Sequence, residues 1–228
     1  LLRNLAIGRA TARLFGGSAE VVYSPDAFGH PPAWPALGLE FGITTGALWR
    51  GLGDDPTGNR DLFWWAAPDG RRVLVYHFPP DGYEIGSNLL LPPAQDGVDA
   101  ALRKAWSRVR GQLLPRAATR HVALFVGADH HAPSPWLAGL RDRLAALDPA
   151  CDFYWSRVDR FLDAARSEAH DLAVLEGEQR WSYGYTWTLQ GVHATRAPLK
   201  RRTSRIELEL ARIAEPLAAL SSFTTGTD

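Results

Sequence analysis

Short β-prone runs alternate with helical stretches along most of this 228-residue chain, and that alternation limits its fold more than any other feature. Residues 2–15 repeat apolar positions at helical spacing and stop at Gly16-Gly17. Glu20-Val21-Val22-Tyr23 reads as a strand that ends at Ser24-Pro25-Asp26, residues 33–40 as a short helix, and Ile43 to Trp49 as a second strand. Leu62 to Ala67 and Val73 to Tyr76 flank Asp69-Gly70, a pair that supplies the positive φ of a tight hairpin turn. Val98, Leu102, Ala105, Val109 and Leu113 share one helix face. Val122-Ala123-Leu124-Phe125-Val126 has the unbroken apolar character of a strand covered on both sides. Leu137 to Leu147 reads as helix and Phe153-Tyr154-Trp155 as a short strand. Ser156-Arg157-Val158-Asp159 has the form of a capping box that opens a helix reaching about Arg166. Strands separated by helices predict an α/β fold with a mostly parallel sheet. In such folds reactive groups gather in loops at the carboxyl ends of strands.

The pattern changes after about residue 190. Leu199, Thr203, Ile206, Leu210, Ile213, Leu217 and Leu220 follow a 4-3-4-3 spacing, an apolar seam on one long helix. Pro216 lies inside it, so a kink or a stop near Glu215 is expected. One amphipathic helix cannot bury its own seam, so its partner helices are expected downstream, beyond Asp228. The chain also begins with Leu1 and holds no methionine, a second reason to read it as part of something longer.

Composition excludes several classes. Twenty-five basic residues balance twenty-five acidic ones, leaving no surplus of positive charge to neutralise a phosphate backbone, so nucleic acid is not an expected partner. A chain that is 46% hydrophobic and 22% charged has the apolar mass for a core and is not disordered. No apolar run approaches the roughly 18 residues of a membrane span. Cys151 is the only cysteine, so neither a disulfide framework nor a cysteine-rich zinc site can form within the chain.

Two loops carry candidate chemistry. Ser24-Pro25-Asp26-Ala27-Phe28-Gly29-His30 follows the first predicted strand and presents a carboxylate, an aromatic ring and an imidazole. Asp26 there suits a nucleophile, a base or a metal ligand, and Phe28 offers a flat face to a sugar ring; equally, Asp26 can cap the next helix and His30 can be a core histidine. Asp129-His130-His131 follows the run 122–126 and suits either a general acid or a metal site. Its alternative is a solvated loop. The nine tryptophans suit either carbohydrate stacking or core packing, the latter for most of them.

Tyr23-Ser24-Pro25-Asp26-Ala27-Phe28-Gly29-His30-Pro31, followed by Phe41-Gly42-Ile43, resembles the nucleophile segment of glycoside hydrolase family 38, the α-mannosidases. Three further stretches resemble the same family in order: Phe63-Trp64-Trp65 through Val73-Leu74, Gly127-Ala128-Asp129-His130, and Gly191 to Lys200 with Ala214-Glu215-Pro216-Leu217. The resemblance implies part of a seven-stranded β/α barrel-like catalytic domain over 1–188, then the first helix of a helical bundle over 189–228. It implies a retaining, zinc-dependent α-mannosidase acting on mannosides or mannose-containing oligosaccharides, and a cytoplasmic one by its likeness to bacterial and cytosolic members. Asp26 would be nucleophile and zinc ligand, and Asp129 the acid/base; Phe28, His30 and His130 would contact substrate. The family's His-x-Asp zinc pair does not occur in this sequence, so this chain alone is expected to be inactive. The sequence does not give the oligomeric state. Two other readings stay open: a metal-dependent deacetylase or amidohydrolase built on Asp26, Asp129 and His130, and a non-catalytic carbohydrate-binding piece.

Overall fold

The computed structural model describes residues 2–53, 56–94, 99–181 and 194–226. The chain divides into two units, Leu1–Trp187 and Thr188–Asp228. The expected boundary at 188/189 lies outside the described residues, as do Gly191-Val192-His193 of the resembling segment.

The first unit is built on a mixed sheet of five strands: β1 (Val21–Ser24), β2 (Thr45–Leu48), β3 (Leu62–Ala66), β4 (Arg72–His77) and β5 (Val174–Leu175). Their order is β1-β2-β4-β3-β5. β1 pairs parallel with β2, β2 with β4 and β3 with β5, while β3 and β4 form the antiparallel hairpin that Asp69-Gly70 predicted. Gly70 takes φ +83° in that turn. Ser24 aligns with Leu48 and Leu48 with His77, so the chain leaves β1, β2 and β4 along one edge of the sheet.

Helices cover both faces. Alternation along β4 sends Leu74 and Tyr76 into one cluster with Leu162 and Ala165 of α5 (Val158–Arg166). Val73 and Val75 point the other way, with Phe63 and Trp65 of β3, toward Trp34 of α2 (Trp34–Glu40). The Trp34 and Trp65 rings stack 5.2 Å apart. Each such fully buried large side chain contributes about 1.5–3 kcal/mol. A third cluster joins Leu102, Trp106 and Val109 of α3 (Ala100–Leu113) to Leu140 and Leu144 of α4 (Leu140–Leu147). The N-terminal helix α1 spans Leu2–Leu14.

Several expectations need correction. The resemblance implies part of a seven-stranded barrel, and the described residues hold a mixed sheet of five strands. Residues 122–126 alternate as a strand does: Ala123 and Phe125 enter the sheet cluster, and Val122, Leu124 and Val126 the α3–α4 cluster. The segment is nevertheless no strand, because its recorded backbone bond is a loop-type one, from the Gly86 amide to the Phe125 carbonyl (3.1 Å). Residues 153–155 form no strand either; Tyr154 and Trp155 are exposed. The capping box is not made: Arg157 is the N-cap of α5 without a side-chain cap bond, and its own guanidinium binds Asp159 (Nε to Oδ1, 3.1 Å). β5 and a 3₁₀ helix over Gly82–Leu89 are not legible in the sequence, where residues 79–95 read as a loop with a few apolar residues in its middle.

In the second unit, α6 (Ala197–Glu209) passes through a π-helical segment, Leu210–Ala214, into α7 (Glu215–Thr225). Pro216 lacks the N–H that would reach back one turn, and the helix accommodates it by widening ahead of the proline instead of stopping.

Candidate active site

The shared carboxyl edge of β1, β2 and β4 assembles the site. Asp26 lies two residues beyond β1, Arg50 two beyond β2, and Tyr83 six beyond β4 at the start of the 3₁₀ helix. Segment 125–129 closes the other side. Between them lies a pocket of about 320 Å³ whose lining includes Asp26, Tyr83 and Asp129, with Tyr23 and Phe125 as its apolar wall. The two carboxylates singled out in the sequence therefore face one cavity.

Asp26 is exposed and forms an ion pair with Nε of Arg50, which is itself buried. The Arg50 guanidinium stacks between two rings, 4.1 Å from the centroid of Trp49 and 4.7 Å from that of Phe28. Two aromatic faces and one carboxylate thus fix the cation, and the cation in turn orients one oxygen of Asp26.

Asp129 is held from two sides. The Tyr83 hydroxyl donates to its Oδ2 (2.9 Å), and its backbone N–H donates to Oε1 of Glu84 (2.8 Å). Gly86 makes this approach possible: a Cβ there would lie 2.1 Å from the Phe125 carbonyl oxygen. Burial, the hydrogen bond to Asp129 and the charge of Asp26 raise the Tyr83 pKa well above that of an ordinary phenol. Burial and the Asp129 charge raise that of Tyr23 as well. Both phenols remain protonated at neutral pH; the Tyr83 proton is given to Asp129, and Tyr23 can donate to an acceptor in the pocket.

The other candidate residues lie differently. Phe28 is half-buried, gives a ring face to Arg50 and is not part of the pocket lining. His30 is buried; its Nε2–H donates to the Arg50 carbonyl (3.1 Å), and its backbone exchanges hydrogen bonds with Gln179. Burial lowers its pKa. His30 is therefore turned into the interior, toward the Arg50 backbone. His130 is exposed in a left-handed conformation (φ +60°) beside Asp129. Among the tryptophans, Trp65 and Trp106 are buried, whereas Trp136, Trp155 and Trp181 are exposed.

Arg50, Tyr83 and Glu84 were missed by sequence reasoning. Arg50 follows a predicted strand, the same position that marked Asp26, so that signal was available. Tyr83 and Glu84 lie in the stretch read as loop and carry no such mark.

A zinc site needs three or four convergent ligands. Among the described residues no three His, Cys, Asp or Glu side chains converge in a way that could hold a metal ion. Asp26 is the one carboxylate here assigned to zinc, and its partner is a guanidinium. These residues by themselves do not fit the metal, and the deacetylase reading built on Asp26, Asp129 and His130 lacks the ligand cluster it requires. No helix among the described residues is long and apolar enough to cross a membrane.

The chain is similar in structure to an alpha-mannosidase from Enterococcus faecalis V583, with a TM-score of 0.85 and 24% identity. That match covers 99% of this chain but 25% of the other, so these residues span about a quarter of that enzyme's length. A comparison with curated proteins finds no match. A family model for the glycosyl hydrolases family 38 N-terminal domain matches residues 1–179. With most of its length so matched and its two carboxylates on one pocket, the chain belongs to glycosyl hydrolase family 38.

Proposed function

We propose that the full-length protein containing these residues is a retaining α-mannosidase, with Asp26 as nucleophile and Asp129 as acid/base. The observation that carries this reading is the placement of both carboxylates on the lining of one pocket, the second gripped by the Tyr83 hydroxyl. Retaining glycosidases use such a pair, about 5–5.5 Å apart, across the scissile bond. A carboxylate oxygen of Asp26 attacks the anomeric carbon, the bond to the leaving oxygen breaks, and Asp129 gives that oxygen its proton. Asp129 then takes a proton from water as the water attacks the same carbon, and the ester to Asp26 breaks to return the carboxylate. Two inversions preserve the anomeric configuration.

Arg50 holds Asp26 in line for attack, and Tyr83 holds Asp129 toward the leaving group. The substrate class is a terminal α-mannoside, in keeping with the family and with a pocket large enough to admit a sugar ring. Zinc in the full-length protein, with Asp26 among its ligands, and a cytoplasmic site of action belong to the same proposal. The 228 residues alone are expected to be inactive, since they provide a single carboxylate toward that metal.

The test is hydrolysis of an aryl α-mannoside by the full-length protein, with the product anomer followed by NMR. An α-anomer as first product, and a loss of about 10⁴-fold or more in kcat on Asp26→Asn, support the proposal. A β-anomer, or an unchanged rate in that variant, overturns it.

A further inference from the structure

Two buried imidazoles bracket Arg50. The Nε2–H of His77 donates to the Trp49 carbonyl at 3.0 Å, and the Nε2–H of His30 donates to the Arg50 carbonyl at 3.1 Å. These carbonyls belong to the peptide planes on either side of the Arg50 Cα, so the two bonds together hold its φ and ψ. With the Trp49 and Phe28 rings against its guanidinium, Arg50 is fixed from backbone to side-chain end. We propose that His77 and His30 are positioning residues that set the Arg50 backbone and, through it, the orientation of Asp26. This rests on reading Asp26 as the nucleophile.

Each imidazole is itself anchored. His77 ends β4; its backbone N–H donates to the Asp61 carbonyl (2.8 Å), and its Nδ1 accepts from Nη2 of Arg116 (3.2 Å). An Nδ1 that accepts from a guanidinium leaves the ring's proton on Nε2, where it meets the Trp49 carbonyl. Arg116 is tied back in turn: its carbonyl accepts from the Asp61 amide (2.9 Å), and Asp61 Oδ1 accepts from the Ala118 amide (2.8 Å). All three side chains are buried, so this chain of bonds runs through the interior and not along a solvated surface. His30 is held by its paired backbone bonds to Gln179 and by an edge-on contact with Trp65 (6.2 Å). Burial keeps both rings uncharged at neutral pH, and a neutral ring has one N–H with one defined place.

Amide side chains separate positioning from mere packing. A glutamine extends its NH₂ to about the place of the histidine Nε2, whereas an asparagine reaches only the place of Nδ1. In the full-length protein, His77→Gln and His30→Gln should keep kcat on an aryl α-mannoside within about threefold. His77→Asn and His30→Asn should lower kcat tenfold or more with KM changed less than threefold, and crystal structures of the Asn variants should show Arg50 withdrawn from Asp26. Equal kcat in the Gln and Asn variants, or an Arg50–Asp26 pair intact in the Asn structures, overturns the proposal. A wild-type protein that cleaves no α-mannoside overturns the enzymatic reading alone, because the variant structures still decide whether the histidines hold Arg50.

Discussion

The Tyr83 hydroxyl sits 2.9 Å from Oδ2 of Asp129, and this bond, with those of Glu84 and Gly86, joins the 3₁₀ helix after β4 to the segment that carries the second carboxylate. Removing it frees Asp129 to rotate away from the leaving oxygen. In the full-length protein, Tyr83→Phe should lower kcat by about 10–100-fold, and the loss should be smaller for substrates whose leaving group needs no proton. Comparing an aryl mannoside bearing an activated phenol with an alkyl mannoside checks this.

Arg50 is not replaceable by lysine. Its planar guanidinium fits between the Trp49 and Phe28 rings while Nε binds Asp26; an ammonium keeps the charge but neither stacks as well nor presents the same fork. Arg50→Lys should cost about tenfold or more in kcat/KM, with a lower thermal midpoint in a melting experiment.

Gly86→Ala tests how tightly the two walls of the pocket are joined. The added methyl would meet the Phe125 carbonyl oxygen, so helix and segment must part. A destabilisation of about 2–3 kcal/mol is expected in denaturant unfolding, with loss of activity following from displacement of Asp129.

The interior group around His77 makes stability depend on pH. Burial, and then the Arg116 charge, lower the His77 pKa to about 3, while an unfolded histidine titrates near 6.5. Below about pH 6.5 the unfolded chain takes up a proton that the folded one refuses, so this contribution is intact above that pH and is lost as pH falls toward 3. Asp61 works in the opposite sense: burial raises its pKa to about 6, so the folded chain holds a proton that the unfolded chain releases between roughly pH 4 and 6. Asp61 is common to wild type and His77→Gln, so the difference between them isolates the histidine. The wild type should melt higher than His77→Gln at pH 7.5, and the gap should narrow by pH 5.

The sequence carried much of this arrangement, and the failures have a common cause. β1, β2 and the β3–β4 hairpin follow from local β-branched runs and turn chemistry, and α3 from apolar spacing, whereas α5 forms where a capping box was read although that box is not made. Asp26 and Asp129 could be found because each stands where a predicted run gives way to a loop. What escaped depends on contacts distant in sequence. Residues 122–126 have the side-chain alternation of a strand, but a hydrogen-bonding partner, not alternation, makes a strand, and Phe125 bonds to Gly86. β5 is two residues long and exists only because Trp64 and Trp65 lie beside it. Tyr83 carries no local signal at all. His30 could be read from the sequence either as a substrate contact or as a core histidine, and its ring is drawn inward by a carbonyl twenty residues away.

The widened turn at Leu210–Ala214 also has a geometric outcome for the long helix. Letting one more residue into a turn shifts angular phase by about 100°. Leu199 and Ile206 therefore lie along one line, while Leu217 and Leu220 resume on another, rotated roughly a quarter of the circumference around the axis. The proline leaves the rod unbroken and divides its greasy stripe into two offset facets.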